Sequence, residues 1–286
     1  MPIKSKKNLE LLAHALDQST SRDSNELRTI GIIGGLGPDT TSRFYMSVIR
    51  ECFRHGTKAN PGILIYSVPI DHEEEAHAIK DARGEDVFLP MLFEAIAKLE
   101  SNVEFIVMPC NTLHLHIEKL RGVSSVPVLS IVEETIKYLN LNYIQDVALL
   151  ATGLTVKKKL YQEPLEKNGV KVILPSEAQQ MQLNKAVQRL VTGKARAKDR
   201  ENIREIISSF KGKTKTVLLA CTDLQLIAPQ HPDLHVIDSM AVLAKATANE
   251  SIYSDYARKV CEKNKQLLNT RAEQRYMISE RVEETR

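Results

Sequence analysis

From Thr29 onward, short apolar runs rich in β-branched residues alternate with amphipathic stretches of helical period. The runs at 29–33, 62–67, 104–108, 146–151, 170–174 and 216–220, with a shorter one at 235–237, read as strands. Helices are expected near 40–54, 86–100, 112–121, 131–140, 156–168, 176–192 and 199–210, with another after Asp238. Strands apolar on both faces and separated by helices can be buried only in parallel sheets covered on both sides. The order of elements occurs twice. The strand at 29–33 runs into Gly34–Gly35–Leu36–Gly37–Pro38, and that at 104–108 into Pro109–Cys110–Asn111–Thr112. In the second half, 146–151 runs into Thr152–Gly153–Leu154–Thr155, and 216–220 into Cys221–Thr222–Asp223. The fold class that follows is α/β: two pseudosymmetric Rossmann-like lobes with parallel sheets and an active site in the cleft between them.

Residues 29–130 form the first expected lobe, completed by 236–255, and 131–235 form the second. Residues 1–28 read as an N-terminal extension, with Leu9, Leu12, Ala13 and Leu16 at helical spacing. Residues 256–286 read as a charged helical extension; packing on a neighbouring subunit and a solvated tail are both open for it.

A formal charge of +3, no tryptophan and 5% aromatics argue against nucleic acid as the partner. No apolar run reaches the ~20 residues needed to span a bilayer, and no signal peptide is read. The four cysteines, Cys52, Cys110, Cys221 and Cys261, lie far apart and form no CxxC pair, so neither a zinc knuckle nor a disulfide framework is suggested. A cytoplasmic, reducing location with free thiols is the expectation.

Cys110 and Cys221 stand at equivalent strand ends, where ligands of open α/β sheets bind. Each has a threonine close behind, and each precedes an expected helix whose positive end favours a thiolate. A single cysteine most often packs as a small hydrophobe, and Cys52 and Cys261 keep that reading. Two at matched positions in facing lobes point to chemistry needing an acid and a base on opposite faces of one carbon, which is racemisation. The two groups then titrate as a coupled pair. The loop at 34–38 followed by Asp39–Thr40–Thr41 is either a plain strand–helix turn or a set of N–H donors for a carboxylate. It lacks the spacing of a dinucleotide loop. Asn111, Thr112, Thr152, Thr155 and Thr222 are further carboxylate donors. His114 and His116 lack companions for a metal site.

The stretches at 34–41, 109–114, 151–155 with Tyr161, and 220–223 together resemble the aspartate/glutamate racemase family over residues 29–250. The resemblance implies two pseudosymmetric lobes, no cofactor, a homodimer and an amino-acid substrate, with aspartate or glutamate favoured. It implies Cys110 and Cys221 as the catalytic thiols, and Asn111, Thr112, Gly35 and Thr152 as substrate-carboxylate contacts. His114 belongs to it and would orient the Cys110 loop. An ungapped count puts the family's basic residue for a distal carboxylate on Lys185; an exposed lysine is the other reading. Asp223 stands where the family usually has glutamate, and the basic residue of the loop after the second strand has no clear match among His72, His77, Lys80 and Arg83. Those departures keep alternatives open: a decarboxylase or cis–trans isomerase of the same fold, or a catalytically idle binder of amino acids or dicarboxylates.

Overall fold

The computed structural model describes residues 27–71 and 84–252. The readings of residues 1–26, 253–286 and the charged loop carrying His72, His77, Lys80 and Arg83 lie outside them.

The first sheet contains β1 (Ile30–Gly34), β2 (Ile63–Ser67), β3 (Phe105–Val107) and β4 (Val128–Leu129), in the order β2-β1-β3-β4. The second contains β5 (Asp146–Ala151), β6 (Lys171–Ile173), β7 (Thr216–Ala220) and β8 (His235–Asp238), in the order β6-β5-β7-β8. Every pairing is parallel. The two orders are the same permutation of four consecutive strands, so the twofold pattern of the sequence is a repeat of topology. β4 falls on no expected strand. It is two residues long, too short to show a period, and exists through its pairing with β3, Ile106 opposite Val128 and Val107 opposite Leu129.

The helices are α1 (Pro38–Arg54), α2 (Leu89–Leu99), α3 (Ile117–Val123), α4 (Ile131–Leu141), α5 (Gly153–Lys157), α6 (Gln162–Lys167), α7 (Glu177–Val191), α8 (Ala197–Ser208) and α9 (239–252). Their starts follow capping chemistry. Pro38 opens α1, Ser130 and Thr152 cap α4 and α5 through their hydroxyls, and Ser176 with Gln179 forms a capping box on α7. The single helix expected over 156–168 is two short ones. They are separated at Lys159, whose φ of 53° leaves the right-handed helical region.

Both faces of each central strand are buried. Ile33, Ile106 and Met108 pack outward against Leu92 and Ile96 of α2. Ile30, Ile32, Phe105 and Val107 face inward, in one cluster with Phe44 and Val48 of α1. That inner cluster continues into the second sheet through Val147, Leu149, Ala151, Leu218 and Ala220, and takes in Leu243, Ala244 and Ala248 of α9. At about 1.5–3 kcal/mol for each fully buried large aliphatic side chain, this shared core is the main force holding the lobes together. The ends of the described stretch meet beside it: the Arg28 N–H donates to the Ser251 carbonyl at 3.0 Å, and the Arg28 guanidinium pairs with Glu250.

Candidate active site

Cys110 follows β3 by three residues and Cys221 follows β7 directly, so both lie at the carboxyl ends of the third strand in each sheet order. Both line one cavity of about 610 Å³, counting the solvent-open space at its mouth. The first half of the chain contributes Ile70, Glu85, Phe88, Cys110, Asn111, Thr112 and Leu113; the second contributes Thr152, Leu154, Val187, Cys221, Thr222 and Asp223. Cys52 is buried in the inner core and does not line it.

The two sulfurs differ in environment. Cys110 is half-buried and Cys221 is buried. Burial pushes the Cys221 thiol well above its ordinary value, with the Asp223 charge and Cys110 adding to the rise and the backbone N–H groups of 223 and 224 opposing it. The expectation that a helix end favours the thiolate does not hold at Cys221. The segment after Cys221 is a three-residue 3-10 turn, Leu224–Leu226, with little aligned dipole. At Cys221 desolvation wins, and the residue is a thiol at neutral pH.

His114 sets the Cys110 loop. It is fully buried, its Nδ1 lies 2.6 Å from the Cys110 carbonyl, and its Nε2 accepts the Ile131 N–H at 3.1 Å. An Nε2 that accepts must be bare, so the proton sits on Nδ1 and is donated to Cys110. Burial lowers its pKa to about 4, against the opposing pull of the Cys110 and Leu129 backbone.

Asn111 lines the cavity, but its amide is engaged. Its Nδ2 donates to Ser239 Oγ at 3.1 Å, and its Oδ1 accepts from the buried Tyr161 hydroxyl. This bond from α9 and the segment before α6 holds the loop beside Cys110. Thr112 reaches across the cleft: its hydroxyl lies 3.0 Å from that of Thr152 and 3.1 Å from that of Thr155, which are themselves 3.0 Å apart. Thr112 and Thr152 face the cavity, whereas Thr155 stands behind them, fully buried. Thr222 is on the wall, its carbonyl held by Gln225.

Gly35 is not on the wall. Its N–H donates to Thr41 Oγ1 at 3.0 Å, so it is not a free carboxylate donor. The glycine is required by its backbone: φ is +83°, and a Cβ would lie 2.5 Å from the Val68 carbonyl. The loop serves by packing. Gly37, with φ +76°, lets Asp223 approach to 2.8 Å of where a Cβ would be, and Thr40 donates to Asp223 Oδ1 at 2.7 Å. Burial raises the Asp223 pKa; the Thr40 bond lowers it and the Asp39 charge raises it further.

Lys185 is exposed on α7 and absent from the cavity wall. The ungapped count lands one residue past Asn184, which faces inward. Asn184 Oδ1 accepts the Gly153 N–H at 2.9 Å, and Gln180 donates to the Ala151 carbonyl at 2.9 Å. One turn on, Val187 is the α7 residue that lines the cavity. No lysine, arginine or histidine lines it among the described residues.

Glu85 had no sequence signal, since it belongs to no motif. It is buried on the wall and pairs at 2.6 Å with the half-exposed Lys158 of the opposite lobe. Its backbone carbonyl is held by His116 Nε2 at 3.0 Å. Among the described residues no cluster of three metal-ligating side chains gathers, and no helix is long and apolar enough to cross a membrane.

The family model of Asp/Glu/Hydantoin racemases matches residues 33–247. The broad specificity amino-acid racemase RacX of Bacillus subtilis is 31% identical over 237 residues, 77% of this chain and 96% of RacX. A glutamate racemase from Aquifex pyrophilus is 28% identical over 174 residues, 58% of this chain and 66% of that protein. The solved structure of Picrophilus torridus aspartate racemase superposes with a TM-score of 0.65 at 25% identity, covering 78% of this chain and 94% of that one. With the doubled sheet order and the paired strand-end cysteines, these likenesses make the chain a member of the Asp/Glu/Hydantoin racemase family, and an enzyme of the racemase type.

Proposed function

We propose that the protein racemises a free α-amino acid, without cofactor, by proton transfer between Cys110 and Cys221. The observation that supports this is the two thiols on one cavity wall, at matched strand ends of opposite lobes. The buried Cys221 thiol is the proton donor of the resting site, and Cys110 acts from the other side as the base. After one turnover the protonation states are exchanged, which is what a reversible two-base cycle needs. The hydroxyls of Thr112, Thr152 and Thr222, on the same wall as the sulfurs, suit the substrate's α-carboxylate. The Asp223 carboxyl suits its α-ammonium.

The described wall disfavours a side-chain carboxylate. With no cation on it, such a group would be desolvated without a partner, at a cost of several kcal/mol. On the described wall a neutral or cationic side chain fits better; the loop with His72, His77, Lys80 and Arg83 lies outside the described residues, and aspartate and glutamate stay among the substrates to test. A reducing compartment such as the cytoplasm suits two sulfurs that must stay thiols. A homodimer is proposed on the exposed Leu64 and Ile65 of the edge strand β2; a monomer mass in sedimentation equilibrium would exclude it.

The test is incubation with single L-amino acids in deuterium oxide, followed by chiral chromatography and mass analysis. The D-enantiomer carrying deuterium at the α-carbon is expected. Absence of exchange with every amino acid tried would overturn the reading.

A further inference from the structure

We propose that Glu85 selects the substrate's side chain, and that the preferred substrates are amino acids with a cationic group at the end of a long aliphatic side chain. This rests on the racemase reading and names the substrate class within it.

Four observations converge. Glu85 is a carboxylate on the wall of the cavity that holds both thiols, and its residue is only 7% exposed. Burying a carboxylate is costly unless cations or donors face it. It is held in place: the carbonyl of Glu85 is hydrogen-bonded to His116, which sits on the same 3-10 turn that follows Cys110. The acidic group is thus fixed relative to the reacting sulfur. Its ion-pair partner, Lys158, comes from the other lobe, is 47% exposed, and does not line the cavity. A carboxylate has roughly four lone-pair sites, so the one ammonium paired with it leaves capacity for a second cation from the cavity. Phe88, Leu113, Leu154 and Val187 give the same wall apolar surface. Such a surface covers the methylenes of a long side chain while its charged head reaches a polar partner. Asp223 adds a second acidic group, and among the described residues no lining side chain adds a positive one, so the described wall favours cations over carboxylates.

The inference separates substrates of nearly equal shape. L-Lysine and L-norleucine fill similar volumes and differ in the terminal ammonium. Hydrogen bonds to charged groups contribute about 1.5–3 kcal/mol, so the wild type should prefer lysine over norleucine in kcat/KM by about ten- to a hundredfold. Glu85→Gln keeps the shape, leaves Lys158 solvated, and should collapse that ratio toward one. A purely structural role for Glu85 would lower both substrates together and leave the ratio alone.

The experiment measures kcat/KM for L-lysine, L-norleucine and L-glutamate with the full-length wild type and Glu85→Gln, alongside calorimetric binding of the same three amino acids. A wild-type lysine preference lost in Glu85→Gln supports the inference. Racemisation in which norleucine or glutamate matches lysine, or a ratio unchanged in Glu85→Gln, overturns it while leaving the racemase reading intact. Glu85-dependent lysine binding with no racemisation supports the selectivity and overturns the racemase reading instead.

Discussion

At the scale of single residues, the site works through an inequality between two chemically identical groups. Cys221 is buried beside an acidic side chain and Cys110 is half-buried. A two-base cycle needs both, so Cys110→Ala and Cys221→Ala should each lower racemisation by more than about a thousandfold, at the upper end of what a general acid or base contributes. Circular dichroism should stay unchanged, because each change removes one sulfur from a cavity wall. Activity retained in either variant would rule out the two-base mechanism. His114 belongs to the same scale. Its folded pKa of about 4 lies below the ordinary 6.5, so the unfolded chain binds a proton first as pH falls. Stability should therefore drop between pH 6.5 and 4 by up to about 3 kcal/mol from this group and level off below. Asp238 opposes it, since burial pushes its carboxyl up to about 6, and protonation below that pH favours the fold. Comparing His114→Asn with wild type by urea denaturation across that range isolates the histidine: the variant, which keeps a donor for the Cys110 carbonyl, should lack that component of the slope. Parallel slopes would refute the neutral, Nδ1-protonated assignment.

At the scale of elements, the strands were legible where both faces are apolar. Ile30–Gly34, Asp146–Ala151 and Thr216–Ala220 are runs that only a covered parallel strand can bury. The two-residue β4 left no period to read, and the break at Lys159 carries no glycine or proline to announce it. Cys110 and Cys221 could be placed because strand order determines which ends converge. Lys185 could not, because counting along α7 through an irregular loop fixes a helical face only to within about one residue, or 100° of rotation. Glu85 was illegible for another reason: its position depends on a contact with His116, thirty-one residues away. The loop from β1 to α1 offers a direct test of what holds an element in place. Gly35→Ala adds a methyl against the Val68 carbonyl at a φ that alanine rarely adopts, and should destabilise the protein by about 1–3 kcal/mol. Unchanged thermal unfolding would contradict the close approach described for that loop.

At the scale of the whole molecule, the lobes are distinct in sheet order and joined in their core. The cluster containing Ile32 and Val107 continues without interruption to Leu149 and Leu218, and α9 and Arg28 bring the ends of the described chain together against it. Neither lobe can unfold without exposing the inner face of the other. Scanning calorimetry should therefore show one transition whose van't Hoff and calorimetric enthalpies agree for each folding unit. Two resolved transitions would show that the shared core does not couple the halves.

The unequal burial of the two sulfurs has a kinetic consequence under the two-thiol mechanism. Enantiomers have the same free energy in water, so the equilibrium constant is one whatever the enzyme does. The Haldane relation then forces kcat/KM to be identical for the L and D forms. A pair of thiols in unlike surroundings cannot bias the outcome. The asymmetry can appear only as matched differences, one hand binding more tightly and turning over more slowly in the same proportion. Progress curves started from either pure enantiomer would coincide at low concentration and separate only as the enzyme saturates.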